Sequence, residues 1–332
     1  MERTYAEYAA RQAMELLAID SPTGFTARAA DWVQRAFEEL GYTARRTVKG
    51  GVLVDLGGRG EGLLLEAHAD TLGGMVAEVK NSGRLRLTPL GGMRAENGEA
   101  ENVRVYTRGG RVLEGTFQLC NASVHVNGQY GDTKRTFDSC EVVLDEDVKS
   151  AEETRTLGVE VGDVVCFEPR TRLTASGYIK SRFLDDKLSV GILLGLAKYL
   201  KDTGTVPQRH VYLHVTVYEE VGHGGAANVP QGVTEAISVD MGWARGCNAP
   251  SGRYPSAPRT PAARTAMRWW ASSLMPPAAP GRTMRWTCTP TTAPMWRRPC
   301  RQAMTCATGS SAPGSTPATA TSAAMWTACG TP

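Results

Sequence analysis

The 332-residue chain is 42% hydrophobic with a net charge of +3. That is enough apolar material for one large or two ordinary domains, and too little charge to argue for nucleic acid or a membrane surface as a partner. No apolar run approaches the length of a membrane span. The N-terminal MERTYAEYAARQAMELL carries acids and lacks the regions of a secretory signal, which predicts a cytoplasmic protein. Of the 8 cysteines, none forms a CxxC pair, and Cys120, Cys140 and Cys166 sit in apolar, β-like contexts that predict buried thiols.

From Thr4 to Leu17 apolar side chains recur at helical spacing, and SPTG, Ser21 to Gly24, is a turn into a second helix at about 27–40, with Trp32, Ala36 and Leu40 on one face. Short β segments follow at 42–46 and 51–56. Leu63 to Ala67 is a nearly continuous apolar strand ending at His68, suited to a sheet covered on both faces. From about Gly73 to Ser176 the texture changes to MVAEV, RLRLTPL, NVRVYT, TFQLC, EVVL and VVCFEP. Six short strands without a long helix predict a small β-barrel or sandwich. Helix and strand then resume with LSVGILLGLAKYL (Leu188 to Leu200), HVYLHVTV (His210 to Val217) and EAISVD (Glu235 to Asp240). The expected architecture is an α/β domain made of 1–72 and 177–242, with 73–176 inserted as the barrel.

Beyond Gly242 the composition breaks. Trp243 to Pro332 contains no Asp, Glu, Lys, His, Val, Ile or Phe, and Leu274 is its sole leucine. Without aliphatic periodicity such a stretch builds no core, so composition predicts a disordered tail over 243–332. Six of the 7 tryptophans nevertheless lie in it, which a natural linker rarely spends.

The chemistry concentrates where strands end. TVYEEVGHGGA, Thr216 to Ala226, sets Glu219 and Glu220 between a β-branched run and a glycine-rich turn; on an extended segment the two would point to opposite sides, one to a metal and one to water or substrate. A hydrolytic metal site built there needs His and Asp ligands from other strand ends. LLLEAHADTLGG supplies His68 and Asp70, FLDDKLSVG supplies Asp185 and Asp186, and AISVDMG supplies Asp240. Each has a plainer reading: a satisfied histidine, an Asp capping the following helix (above all Asp186), a turn-forming Asp240. Two adjacent carboxylates after so apolar a strand, however, repel unless a cation or proton intervenes. His125, His210 and His214 gain nothing from context and read as structural, and His223 could line a pocket.

Together SPTG, HADTLGG, LDEDVKSAEETRTLGVEVGDVVCFEP, FLDDKLSVG, EEVGHGGA and VDMG resemble the co-catalytic metalloaminopeptidases of the glutamyl-aminopeptidase and tetrahedral-aminopeptidase (TET) group, over about residue 5 to Gly242. The resemblance implies a mixed-sheet α/β/α metallopeptidase domain with an inserted small β-barrel that mediates homo-oligomerisation, often into a dodecamer. It implies two divalent metal ions per subunit, zinc or cobalt: His68, Asp185 and Asp240 on one metal, Asp185 bridging to a second held by Glu220. Glu219 is then the general base, Asp70 orients His68, and the substrates are peptides with a free N-terminus. A related dimetal carboxypeptidase or deacylase, or an inactive oligomer-forming protein, is the alternative. Many members have Arg at the position of Lys187. The group's second metal also takes a histidine near the C-terminus, and this chain has none after His223.

A reading-frame shift near Gly242 accounts for both oddities. Thr289 to Trp296, TPTTAPMW, read one base earlier permits Tyr-Pro-Tyr-Tyr-Gly-Ser-Asp-Val. Ala320 to Thr327, ATSAAMWT, permits Gly-Tyr-Glu-Arg-Ser-His-Val-Asp, with the Val and Asp codons fixed by Met325, Trp326 and Thr327. Both resemble late segments of the group, the second its terminal metal motif. The alternative is a genuine low-complexity tail.

Overall fold

The computed structural model describes residues 3–241; the expectations for the stretch from Trp243 onward lie outside them. Two helices open the chain, α1 (Arg3–Leu17) and α2 (Ala27–Glu39), followed by strands β1 (Thr43–Arg46), β2 (Val52–Gly57) and β3 (Gly62–His68). Next come β4 (Gly73–Val79), β5 (Leu85–Leu90), β6 (Glu101–Tyr106), β7 (Val112–Leu119), β8 (Cys140–Leu144), the short helix α3 (Ala151–Thr156) and β9 (Val164–Phe167). A small hairpin of β10 (Arg172–Leu173) and β11 (Ile179–Lys180) leads to α4 (Leu184–Thr203), β12 (His210–Thr216) and β13 (Val233–Ser238).

The main sheet has the order β1-β2-β12-β3-β13. β1, β2 and β12 pair antiparallel, whereas β12, β3 and β13 run parallel. Every residue of β3 is buried, as its unbroken apolar run requires. Alternation divides the strands into two faces. Val54, Leu63, Leu65, Leu213 and Val215 point to one face and share a core with α1, α2 and α4. Glu66, His68, His214 and Thr216, which pair across β3 and β12, belong to the other.

Small residues set how closely α1 and α4 approach. A Cβ on Gly191 would stand 2.6 Å from the Ala9 carbonyl oxygen and 2.7 Å from Ala13 Cβ, and one on Gly195 would stand 2.9 Å from Ala9 Cβ. On α2 the buried stripe is Ala29, Ala30, Val33, Ala36 and Phe37; Trp32 and Leu40 flank it, half-buried, so the face expected from Trp32, Ala36 and Leu40 is off-centre by part of a turn.

The six short strands close into a barrel, β4-β5-β8-β7-β6-β9, around Phe117, Phe167, Leu85, Val105 and Val142. It docks on the sheet domain through a charged contact: Asp20, just after α1, accepts from Arg104 Nε at 2.7 Å and Nη2 at 2.8 Å and from the Tyr106 hydroxyl at 2.7 Å. Cys140 and Cys166 are buried as expected. Cys120 is not: it follows β7 at the barrel surface, where the Lys80 ammonium lies 3.3 Å from its sulfur.

Candidate metal centre

Parallel strands end together, so β12, β3 and β13 bring Thr216, His68 and the residues after Ser238 to one end of the sheet. His68 is 2% exposed. Its Nδ1 meets the Asp70 carbonyl oxygen at 2.9 Å, so in the neutral tautomer that donates there the Nε2 lone pair faces Asp185 and Glu219. Nε2 lies 3.1 Å from Asp185 Oδ1 and 3.6 Å from Glu219 Oε2. One donor atom each from His68, Asp185 and Asp240 fall within 4.8 Å of one another. An imidazole nitrogen and two carboxylates so gathered fit a divalent cation such as zinc or cobalt.

The titration behaviour of the cluster points the same way. Burial, with the neighbouring charge of Asp185, raises the Asp240 carboxyl to about 6. Burial lifts Glu219 to about 7 against the opposing charge of His68, with Asp240 and Asp185 adding to the rise, and lifts Glu220 to about 9, again against His68 and with Asp185 and Glu219 adding to it. His68 is itself held well above its ordinary value: hydrogen bonds to Asp185 and Asp70 overcome burial. Carboxyls raised in this way ionise more readily once positive charge stands among them, as expected of a cation site.

Local chain geometry explains each placement. Phe183, just before α4, takes a left-handed conformation, and Asp185 and Asp186 in its first turn have non-helical dihedrals, so regular helix begins only at Lys187. Asp185 stands half-exposed beside His68. Asp186 is buried and accepts from the His68 amide at 3.1 Å and from the Ser189 side chain, so it fixes the end of β3. No side-chain hydrogen bond caps the start of α4, and the expected capping role is not what the contacts of Asp186 show.

Glu219 and Glu220 do not lie on an extended segment: they form a 3-10 turn, Glu219–Val221, closed by Gly222 at φ 87°. Strand alternation therefore does not account for their different directions. After the turn the chain packs too closely for side chains at Gly224 and Gly225, since a Cβ on Gly224 would stand 2.7 Å from Thr216 Oγ1 and one on Gly225 2.6 Å from Glu66 Oε2. Asp70 does more than the expected orientation of His68. Its carboxylate stands 3.5 Å from Nδ1, but it accepts the amides of Glu219 at 3.2 Å and Glu220 at 3.3 Å and the Thr23 hydroxyl at 2.7 Å. One carboxylate thus ties the ligand strand to the turn with both glutamates.

The other histidines have separate duties. His210 pairs with Asp55 at 2.8 Å and His214 with the buried Glu66 at 2.9 Å; His223 stacks on Tyr218; His125 is exposed on the barrel. Two contributors escaped the sequence reading. Lys187, noted only as a substitution, is fully buried, donates to the Ile19 carbonyl at 2.5 Å and is pushed down to about 7 by burial; its place between the Asp185–Asp186 pair and the apolar run from Leu188 was its signal. Gly91 of the barrel, φ 69°, has no room for a Cβ between Leu72 and the Glu220 backbone, which only a structure reveals.

With this geometry in hand, comparison with known proteins is decisive for the family. The pattern of the M42 glutamyl aminopeptidases matches residues 50–254. The chain belongs to this family. The YhfE protein of Bacillus subtilis (strain 168) is 38% identical over 230 residues, 69% of this chain and 66% of that protein. Among solved structures, the aminopeptidase APDkam598 of the archaeon Desulfurococcus kamchatkensis superposes with a TM-score of 0.64 at 24% identity, covering 77% of this chain and 68% of that one. The TET1 peptidase of Pyrococcus horikoshii, which can assemble into a tetrahedron or an octahedral shell, gives 0.60 at 24% identity, covering 70% and 68%. These two likenesses show the shared M42 fold, an α/β domain with a mixed sheet and a β-barrel. The matches to three curated M42 relatives span between 54% and 66% of the relatives' lengths.

Proposed function

We propose that this M42 chain carries the site of a metal-dependent aminopeptidase, which removes N-terminal residues from peptides. The observation that carries the reading is the convergence of His68 Nε2, Asp185 and Asp240 within 4.8 Å, with Glu219 3.6 Å from the same imidazole nitrogen. In this reading His68, Asp185 and Asp240 hold one cation, Asp185 and Glu220 reach a second, and zinc or cobalt suits the donors. A cation held there would supply Lewis-acid polarisation of the scissile carbonyl and a more acidic water. Glu219 would accept the proton of that water and return it to the leaving amine; a carboxyl at about 7 is matched to both transfers near neutral pH. Asp70 keeps Glu219 and Glu220 in place through their amides.

The second cation is the weak part of the site. All 5 histidines fall within 3–241, and apart from His68 none is called upon by the cluster, so Glu220 and Asp185 offer oxygen donors only. Such a set favours weakly held hard cations. We read the stretch beyond Gly242 as the product of a one-base shift that removed the missing histidine. The chain as written should therefore turn over little. The segments 1–72 and 177–242 act as the catalytic domain and 73–176 as an oligomerisation barrel, in keeping with the assemblies of the TET1 peptidase. Among the described residues no helix is long and apolar enough to cross a membrane; a cytoplasmic setting is part of the same proposal.

The test is hydrolysis of peptides with free and N-acetylated termini, by the chain and by a version with the shift corrected, each supplied with zinc or cobalt. Release of N-terminal residues from free peptides only, far faster after correction, is expected. Cleavage of acylated substrates alone contradicts the aminopeptidase reading, and full activity in the uncorrected chain contradicts the account of the second site.

A further inference from the structure

The turn that carries Glu219 and Glu220 is held from a second side, by a residue outside the cluster. Residues 47–51 read TVKGG and form the hairpin between β1 and β2, with the Thr47 amide donating to the Gly51 carbonyl at 2.8 Å and the Gly50 amide to the Thr47 carbonyl at 2.9 Å. The two glycines let this tip lie against the end of β12: a Cβ on Gly51 would stand 2.6 Å from the Val215 carbonyl oxygen, and Gly50, at φ 92°, sits over Val217. Lys49 is thereby aimed at the glutamate turn. Its ammonium donates to the His223 carbonyl and reaches the Gly224 carbonyl at 3.4 Å; His223 Nδ1 is 3.1 Å away, and the Tyr218 ring lies beneath at 5.6 Å. An ammonium has three donors and no acceptor, and here they engage the far end of a loop that Asp70 holds at its near end. The loop also closes on itself, the His223 amide donating to the Tyr218 carbonyl at 3.2 Å and the Gly222 amide to the Glu219 carbonyl at 2.7 Å.

We propose that Lys49 is a positioning residue, which grips the carbonyls of His223 and Gly224 and so fixes the turn that presents Glu219 and Glu220. It acts through the backbone: the charges that weigh most on the two glutamates are those of His68 and the neighbouring carboxylates. Its meaning for catalysis rests on the roles assigned to Glu219 and Glu220, whereas the grip itself is measurable without them.

Amide hydrogen exchange on the full chain makes that measurement, comparing Lys49→Met, Lys49→Arg and, as a control at the same turn, Val48→Ala, whose side chain is fully exposed. Loss of charge-assisted hydrogen bonds at a partly exposed site should speed exchange in 218–224 by about threefold to tenfold in Lys49→Met. Exchange in β12 and α4 stays as in the wild type, Lys49→Arg restores protection and Val48→Ala changes nothing. Unchanged exchange in 218–224, or acceleration that spreads equally through β2 and β12, overturns the proposal. If the grip is found while the frame-corrected chain cleaves no peptide under any metal, the aminopeptidase reading fails and the positioning role stands.

Discussion

At the scale of single residues the site is a collection of acids that burial and mutual repulsion hold partly protonated. In the metal-free protein Glu219 and Glu220 stand at about 7 and 9 against an ordinary 4.5, and Asp240 at about 6 against 3.8. Between those limits the folded state binds more protons than the unfolded chain, so these groups favour folding below the ordinary values and cost stability as pH rises towards 9. A cation that replaces the protons removes this cost. The stability gap between zinc-loaded and chelator-treated protein should therefore widen from pH 5 to pH 8, as read by denaturant unfolding; a constant gap would mean that the acids do not meet the metal. Glu219→Gln keeps the shape and removes the base. In the frame-corrected chain it should lower peptide hydrolysis by at least about 100-fold, within the range of general-base catalysis, with the tightly bound metal retained by elemental analysis.

At the scale of elements, what was legible in the sequence is what periodicity and composition encode. The apolar runs Leu63 to Ala67 and VYLHVTV both read as interior strands, because such segments survive only inside a covered sheet; that they are neighbours is visible only in the structure. The barrel was legible from six short strands with no long helix among them. Contacts between distant segments were not. Nothing local says that Asp70 accepts the amides of Glu219 and Glu220 rather than serving His68 alone, or that EEV coils into a 3-10 turn. Gly191 shows how a tertiary contact overrides propensity. Alanine is a better helix former than glycine by about 1 kcal/mol, yet its Cβ would meet the Ala9 carbonyl oxygen at 2.6 Å. Gly191→Ala should thus destabilise the protein by about 1 to 3 kcal/mol, the usual cost of overpacking, measured as a lower denaturant midpoint; a gain in stability would show that α1 can back away. The helix Ala151–Thr156 was missed although Ser150 and Glu153 announce it. Ser150 Oγ accepts the Glu153 amide at 3.2 Å, while Glu153 accepts the Lys149 amide at 2.6 Å, a near relative of the capping box.

At the scale of the whole molecule, sheet domain and barrel are joined beside the metal centre. Asp20 lies 9% exposed between Arg104 and Tyr106 of the barrel, and Lys187, next but one to Asp185, is anchored to the adjoining Ile19 carbonyl. Asp20→Asn should cost about 2 kcal/mol, the scale of charge-assisted hydrogen bonds, read by denaturant unfolding; no change would show that the barrel docks through apolar contacts alone. The central claim is that His68, Asp185 and Asp240, brought from three separate stretches of chain, hold a metal. Elemental analysis after equilibrium dialysis against zinc, comparing the chain with His68→Ala and Asp240→Ala, tests it most directly. About one tightly bound zinc per chain is predicted, held by one imidazole and two carboxylates with a second position too weak to survive dialysis, and at least a tenfold to 100-fold weaker affinity in either variant. Zinc retained undiminished by both variants would contradict it.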